Sequence, residues 1–212
     1  MSFTLKRGLS NVFAAEILTD DNAEGGGYKT GTPFHLIPAG EMTRTTESES
    51  TPQYFDNVVF YQSGAEGPTE ISITGAALRP ADLAKITAKN IDEATGAVVD
   101  TGEYTEKYFA VGGEADNVDG TKELFWFAKG TFAIPEQADK TKDDSTDTNG
   151  MTLTYSAVQT THLFEVNGQK KPIKRIVIDT ETSELKAEQV WTKQVVTPDN
   201  LSTIVQKKGA AQ

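Results

Sequence analysis

Residues Tyr108–Ala157 read YFAVGGEADNVDGTKELFWFAKGTFAIPEQADKTKDDSTDTNGMTLTYSA. Two apolar, aromatic-rich runs, Tyr108–Val111 and Leu124–Ala128, flank a glycine- and acid-rich turn. A third run, Thr131–Ile134, stops at Pro135, and Met151–Ala157 alternates apolar with polar residues. The pattern predicts consecutive antiparallel strands. Within the second run, Leu124, Trp126 and Ala128 share one face, and Phe125, Phe127 and Lys129 the other. Aromatic residues on both faces predict a central strand covered on two sides, by a helix and by another sheet or subunit. Between Pro135 and Met151 lies a polar loop, Glu136–Gly150, with Ala138 as its one apolar residue. Loops of that length in a compact domain are usually functional or disordered.

Upstream, Thr69–Thr74 alternates with Ile71 and Ile73 on one side, and Gln53–Gln62 carries Phe55, Val58, Phe60 and Tyr61. With a turn at Ser63–Pro68 they make a hairpin. Before them Glu41, Thr43, Thr45, Glu47 and Glu49 fall on one face of an extended segment, and Met42, Arg44, Thr46, Ser48 and Ser50 on the other. A strand polar on both faces suits a long hairpin arm, or a strand between water and a polar neighbour. Pro80–Lys89 is the clearest helix. Pro80 suits the first helical position, Asp82 the positive end, and Lys85 and Lys89 the negative end, with Asn90 as the left-handed stop. Asp92–Gly96 is a turn before a short strand, Ala97–Val99.

Downstream, Thr160–Val166, Ile173–Asp179 and Lys186–Val196 read as strands, the first two separated by the tight-turn dipeptide Asn167-Gly168. The ends read as appendages. Residues 1–30 form an arm that packs through Val12–Leu18, with the three glycines Gly25–Gly27 as a flexible hinge. Residues 197–212 form a flexible tail. With no internal repeat, heptad or linker, the chain reads as one domain over residues 1–212.

Composition narrows the function. The 212 residues carry 31 acidic and 20 basic side chains, a net charge of −11. A nucleic-acid binder must neutralise phosphates, so this excess disfavours a DNA grip but suits a surface past which DNA slides. There are no cysteines, which removes disulfides, thiol catalysis and thiolate metal sites. No signal segment or membrane-length apolar run is present, so the expectation is a soluble chain made in the cytoplasm.

Catalytic patterns are missing. The two histidines, His35 and His162, have no metal-ligand spacing and are expected to be packed or at the surface. No nucleophile elbow occurs, and Gly112-Gly113 lacks the residues that would make a phosphate-binding loop. Asp143, Ser145 and Asp147 alternate as in half of a calcium loop, but Thr154 stands where the bidentate Glu is required. Shifting the frame to Ser145 puts Gly150 in place and Ser156 at the end. The reading is therefore a non-enzyme with no catalytic residue, no cofactor and no metal.

Several stretches carry a resemblance: GLSNVFAAEI at Gly8–Ile17, YKTGTPFHLIPAGE at Tyr28–Glu41, YFDN at Tyr54–Asn57, ISITGAAL at Ile71–Leu78, and above all Tyr108–Lys142. In order and spacing they resemble the major tail protein of long non-contractile bacteriophage tails, especially in phages of Gram-positive hosts. The resemblance implies a mainly β tail-tube fold, a β-sandwich or partial barrel with one flanking helix. It implies hexameric rings stacked into a tube, with four strands per subunit joined in an inner barrel around the DNA channel. The implied partners are further copies of the chain, a tape-measure protein, tail-terminator and distal-tail proteins, and passing double-stranded DNA that is not specifically bound. No membrane is involved, and the location is the virion tail.

Within that expectation Glu41, Glu47 and Glu49, on one face of their strand, are candidate lumen-facing acids. Thr141, Asp143, Asp144, Asp147 and Asn149 are candidates for an inter-subunit loop over residues 136–150. The alternatives are the inner tube of a contractile tail or secretion machine, and a monomeric β-sandwich binding module with exposed aromatics.

Overall fold

The computed structural model of the chain describes residues 3–55, 58–103, 105–136, 150–186 and 190–209, and of residues 49, 51–55, 58–63, 65 and 190 only the backbone. The chain is mainly β. In order it forms β1 (Lys6–Asp21), β2 (Gly27–Thr30), β3 (Phe34–His35), β4 (Ala39–Phe55), β5 (Val58–Ala76), α1 (Pro80–Thr87), β6 (Asn90–Ile91), β7 (Val98–Val99), β8 (Phe109–Asn117), β9 (Lys122–Phe132), β10 (Gly150–Val158), β11 (Phe164–Val166), β12 (Gln169–Lys171), β13 (Arg175–Asp179), β14 (Ser183–Leu185), α2 (Val190–Lys193), α3 (Pro198–Ile204) and β15 (Val205–Lys207). The main antiparallel sheet runs β2-β1-β8-β9-β10-β5-β4.

The sheet forks at β9. Glu123–Phe127 of β9 pair with β13, whereas Lys129–Phe132 pair with β10. The branch that continues through β10, β5 and β4 folds back over β9, so that the Arg44 guanidinium of β4 lies 3.8 Å above the Phe125 ring. Segment 34–39 closes this sandwich-like partial barrel. It hydrogen-bonds to β1 through Leu36 N–H on the Val12 carbonyl at 2.9 Å, and receives Ala76 N–H on the Pro38 carbonyl at 3.2 Å.

Two cores lie on opposite faces of β9. Phe125 and Phe127 pack with Val12, Ile71, Ile73, Leu153 and Tyr155 inside the barrel, where Ile86 of α1 joins them. Leu124 and Trp126 pack outside it with Trp191, Val195, Val196 and Ile204 of the C-terminal segment. The alternation of Leu124–Ala128 thus has two separate hydrophobic destinations, as its aromatic content predicts. The strand is longer than expected: Thr131 and Phe132 continue it, and no separate strand forms there.

Gly112 and Gly113 also belong to a strand, β8, rather than to the turn, which is Val118–Gly120. A Cβ on Gly112 would stand 2.5 Å from Cδ2 of Trp126, and one on Gly113 2.8 Å from Cζ of Phe125. The two rings lie directly on the neighbouring backbone, which is why glycine occupies both positions.

Several local readings are corrected. Residues 6–30 are a hairpin of the main sheet, not an arm, and Ala14 and Ala15 are fully buried. The supposed hinge is a built turn: Gly25 and Gly27 have φ of 79° and 106°, and a Cβ on Gly26 would meet the Asp21 carboxylate at 1.7 Å. Residues 197–209 are not a loose tail. Pro198 opens α3, Asn200 Oδ1 accepts the Thr197 N–H at 2.9 Å, Ile204 is completely buried, and β15 pairs with β14. Of the expected strand Lys186–Val196, residues 190–193 form the helical turn α2. The expected helix ends at Thr87, and Ala88, not Asn90, takes the left-handed cap with φ of 55°. The Asn167-Gly168 turn is present, with both φ positive, but it joins β11 to β12.

Candidate assembly surface

The layer β10-β5-β4 differs from the rest of the sheet in having one bare face. Its inner face carries Ile71, Ile73, Leu153 and Tyr155, all with no exposure. On its outer face Glu41, Thr43 and Thr45 of β4 stand beside Thr74, Ser72 and Glu70 of β5, and these beside Thr152, Thr154 and Ser156 of β10. All are exposed or half-exposed, and none is basic. Neighbouring strands are tied by hydroxyls: Thr74 and Thr152 share a hydrogen bond of 3.0 Å. Alternation explains the division, because Ile-x-Ile and Leu-x-Tyr send every second residue inward and leave Thr, Ser and Glu outside.

The strand polar on both faces thus has two different sides. Met42 packs at the border of the inner core. Arg44 reaches across it to Glu123 at 3.3 Å while stacking on Phe125. Burial alone would raise the Glu123 carboxyl, but Lys6, at 2.9 Å, and Arg44 outweigh it and hold the group below its ordinary value. Arg44 therefore fastens β4 over β9 with a cation–π contact and a partly buried ion pair.

This layer also has two open edges. Among the described residues β4 ends the sheet and pairs only with β5. β10 pairs with β5 from Gly150 to Ala157, but with β9 only from Tyr155 to Val158. Among the described residues no strand pairs with the opposite side of Gly150–Leu153. Unpaired edges of this length are templates for another strand.

The hairpin β4–β5 extends beyond the layer. β10 leaves β5 at Thr69, whereas the β4–β5 ladder continues from Ser48↔Glu66 to Phe55↔Val58. This two-stranded arm projects about 25 Å at the usual rise per strand residue. The expected turn at Ser63–Pro68 is instead part of β5. Its Gly67 and Pro68 are absorbed by a bulge between Thr46 and Ser48, where a proline costs no ladder hydrogen bond. Pro and Gly read locally as a turn, but pairing with β4 overrides that signal.

Of the expected site residues, Glu41 and Glu47 are exposed on β4, and Glu49 lies on its ladder opposite Ala65. Glu70, which the alternation of Thr69–Thr74 puts outward, stands on the bare face opposite Thr45 but is not among the candidate acids. Thr141, Asp143, Asp144, Asp147 and Asn149 lie outside the described residues, as do the loop's calcium-like positions.

Elsewhere the polar groups hold the fold together. Glu114 Oε1 accepts from Ser10 Oγ and Asn11 Nδ2, both at 2.8 Å, and from Lys122 at 3.1 Å, beside the β1 bulge where Asn11 has φ of 52°. Asp20 accepts from Lys129 at 2.6 Å, Thr161 N–H at 2.8 Å and His162 N–H at 2.7 Å. Burial pushes its pKa up, and these three donors together bring it below the ordinary value. His162 packs edge-on to Phe164 and bonds the Asp21 carbonyl through Nδ1, and His35 packs edge-on to Phe13. Burial raises the Tyr155 phenol well above its ordinary value, so it remains a donor to the Phe109 carbonyl at 2.7 Å. Among the described residues no group of three or more His, Cys, Asp or Glu is placed to hold a metal ion, and no helix is long and apolar enough to cross a membrane. No protein-family model matches the chain, and no curated protein matches it in sequence.

Proposed function

We propose that the chain is a structural subunit that polymerises through the β10-β5-β4 layer into a hollow tube, the tail tube of a bacteriophage with a long non-contractile tail. The observation that carries this reading is the combination of two open strand edges with a bare, acidic and hydroxylated face on an otherwise covered sheet. Pairing the β4 edge of one copy with the Gly150–Leu153 edge of the next removes both edges at once, and repeating the step closes a ring. Six copies per ring is the number that the resemblance to tail proteins implies.

In such a ring the bare face lines the channel. Glu41, Glu47, Glu49 and Glu70 then present negative charge to DNA phosphates, and the hydroxyls keep the wall wet. DNA passes without sticking, because there are few cations to replace its counterions. The β4–β5 arm, which runs on past the layer, reaches the next ring, with the loop over residues 136–150 as a second bridge. A tape-measure protein inside the growing tube, and tail-terminator and distal-tail proteins at its ends, complete the assembly. No reaction is catalysed.

Electron microscopy of the purified protein at rising concentration tests this reading. Rings or long tubes are expected, and a strictly monomeric species at every concentration would sink it. Smooth particles distinguish this tail from a contractile one, whose inner tube carries a sheath. A tube structure with Glu41, Glu47 and Glu49 all on the exterior would overturn the channel assignment while leaving the tube intact.

A further inference from the structure

The geometry points to Lys174 as the pin that sets the direction of the β4–β5 arm relative to the body. The residue lies between β12 and β13, in the body, yet its ammonium group is spent entirely on the root of the arm. Lys174 Nζ donates to the Glu66 carboxylate, to the Gly67 carbonyl at 2.9 Å and to Thr69 Oγ1 at 3.4 Å. An ammonium has three donors, and here each has a separate acceptor, on Glu66, Gly67 and Thr69 around one bulge. The Lys174 side chain is only 13% exposed, whereas that of Glu66 is 65% exposed. The buried partner belongs to the body and the solvated one to the arm.

The place of this contact gives it a mechanical meaning. Thr69 is the last β5 residue that β10 holds, and Glu66 is the first that pairs with the free arm after the bulge. Between them Gly67 and Pro68 interrupt the ladder, and a bulge bends and twists its strand. On the β4 side the joint is narrow: Thr46 and Thr69 share a hydroxyl hydrogen bond of 2.9 Å, and a Cβ on Gly67 would come within 3.3 Å of Glu47 Cβ. Regular pairing is interrupted at this joint, the β4 side holds it by these two contacts, and Lys174 spans it from a third direction. Lys171, Arg175 and Phe127 line the same notch, of about 380 Å³, which leaves water access to the joint.

A pinned arm meets its partner already oriented, which reduces the ordering cost of association. This consequence for assembly rests on the tube reading above; the pin itself does not. Two experiments separate them. The chain has no cysteine, so Gly64→Cys on the arm and Val177→Cys on β13 can carry a pair of nitroxide labels without background. Electron–electron distance measurements on the monomeric protein are expected to give one narrow distribution. Lys174→Met broadens it at least twofold, Lys174→Arg restores it, and Glu66→Gln, a change at an exposed site that leaves the fold alone, broadens it partly. Unchanged widths in both Lys174→Met and Glu66→Gln would overturn the pin. In the assembly arm, Lys174→Met is expected to raise the concentration needed for tubes about tenfold, with normal monomer folding by circular dichroism. Unaltered assembly with a broadened arm would overturn the coupling to assembly. A narrow wild-type distribution in a protein that never assembles would leave the pin standing and remove the tube reading.

Discussion

Strand β9 and the β4–β5 hairpin are both long, antiparallel and rich in strand-forming residues, yet they are built to opposite plans. β9 is covered on both faces, paired on both edges, and packed so closely that two glycines of β8 are needed beneath its rings. The hairpin leaves one face bare, one edge free and, beyond Thr69, no neighbour at all among the described strands. In β9 alternation serves two cores, and in β4 it divides a core face from a hydroxylated one. A strand finished within its own chain gives stability, and a strand left unfinished keeps backbone groups free to pair.

The contrast is sharpest in what substitutions would cost. Trp126→Ala removes one of the two tryptophans of the outer core and its Nε1 hydrogen bond to the Trp191 carbonyl. It is expected to destabilise the monomer by about 3–5 kcal/mol in chemical denaturation. Gly112→Ala forces a methyl group against the same indole and is expected to cost about 1–3 kcal/mol; a neutral result would mean that the ring moves aside freely. Tyr155→Phe leaves the Phe109 carbonyl without its buried donor, at about 1 kcal/mol.

Asp20→Asn acts through pH. The folded-state pKa of Asp20 is depressed, so its contribution is full above the unfolded carboxyl value near 4 and is lost as pH falls through the folded one. The variant should flatten the acid limb of a stability–pH curve; an unchanged limb would show that other carboxylates dominate it. At the other extreme, Glu47→Ala and Thr43→Val should shift monomer stability by no more than about 0.5 kcal/mol. Deleting Thr141–Asn149 should impair polymerisation more than monomer folding, as light scattering and circular dichroism would report. If Thr43→Val proved as costly as Gly112→Ala, the bare face would have a covering within the monomer and the comparison would fail.

The sequence disclosed one of these regions more fully than the other. Leu124–Ala128 declared its two covered faces, because aromatics in odd and even positions have no other use. Pro80 announced α1 for an equally local reason. The arm was half legible: the two-sided polarity of Glu41–Ser50 pointed to a hairpin arm, but Ser63–Pro68 read as the turn of a separate hairpin between Gln53–Gln62 and Thr69–Thr74, whereas Val58–Ala76 is one strand. A bulge and a turn use the same residues, and only the partner strand decides between them. The C-terminal segment misled more. Val190, Trp191, Val195 and Val196 suit a strand by propensity, yet residues 190–193 form a helical turn, and Trp191, Val195 and Val196 cover Trp126, Trp191 from a distance of 65 positions. Residues 1–30 misled likewise, since nothing within them says that β8 lies alongside. Alternation puts Glu41 and Glu47 on the exposed face of β4, where they stand, whereas Glu66 and Lys174, joined across 108 positions, left no local trace.

The paired glycines under Trp126 and Phe125 also bear on how such a chain can change over generations. A position whose missing side chain is filled by a neighbour's ring cannot drift alone, since any gain of volume there must be matched by a loss across the strand. The Thr, Ser and Glu positions on the outer face of β4, β5 and β10 face no such counterpart among the described residues. Divergent copies of this protein would therefore keep Gly-Gly opposite Phe-Trp-Phe as a linked unit, while their outward-facing hydroxyls and carboxylates exchange freely as long as that face stays polar. The most invariant part of the chain would be the place where two side chains are absent.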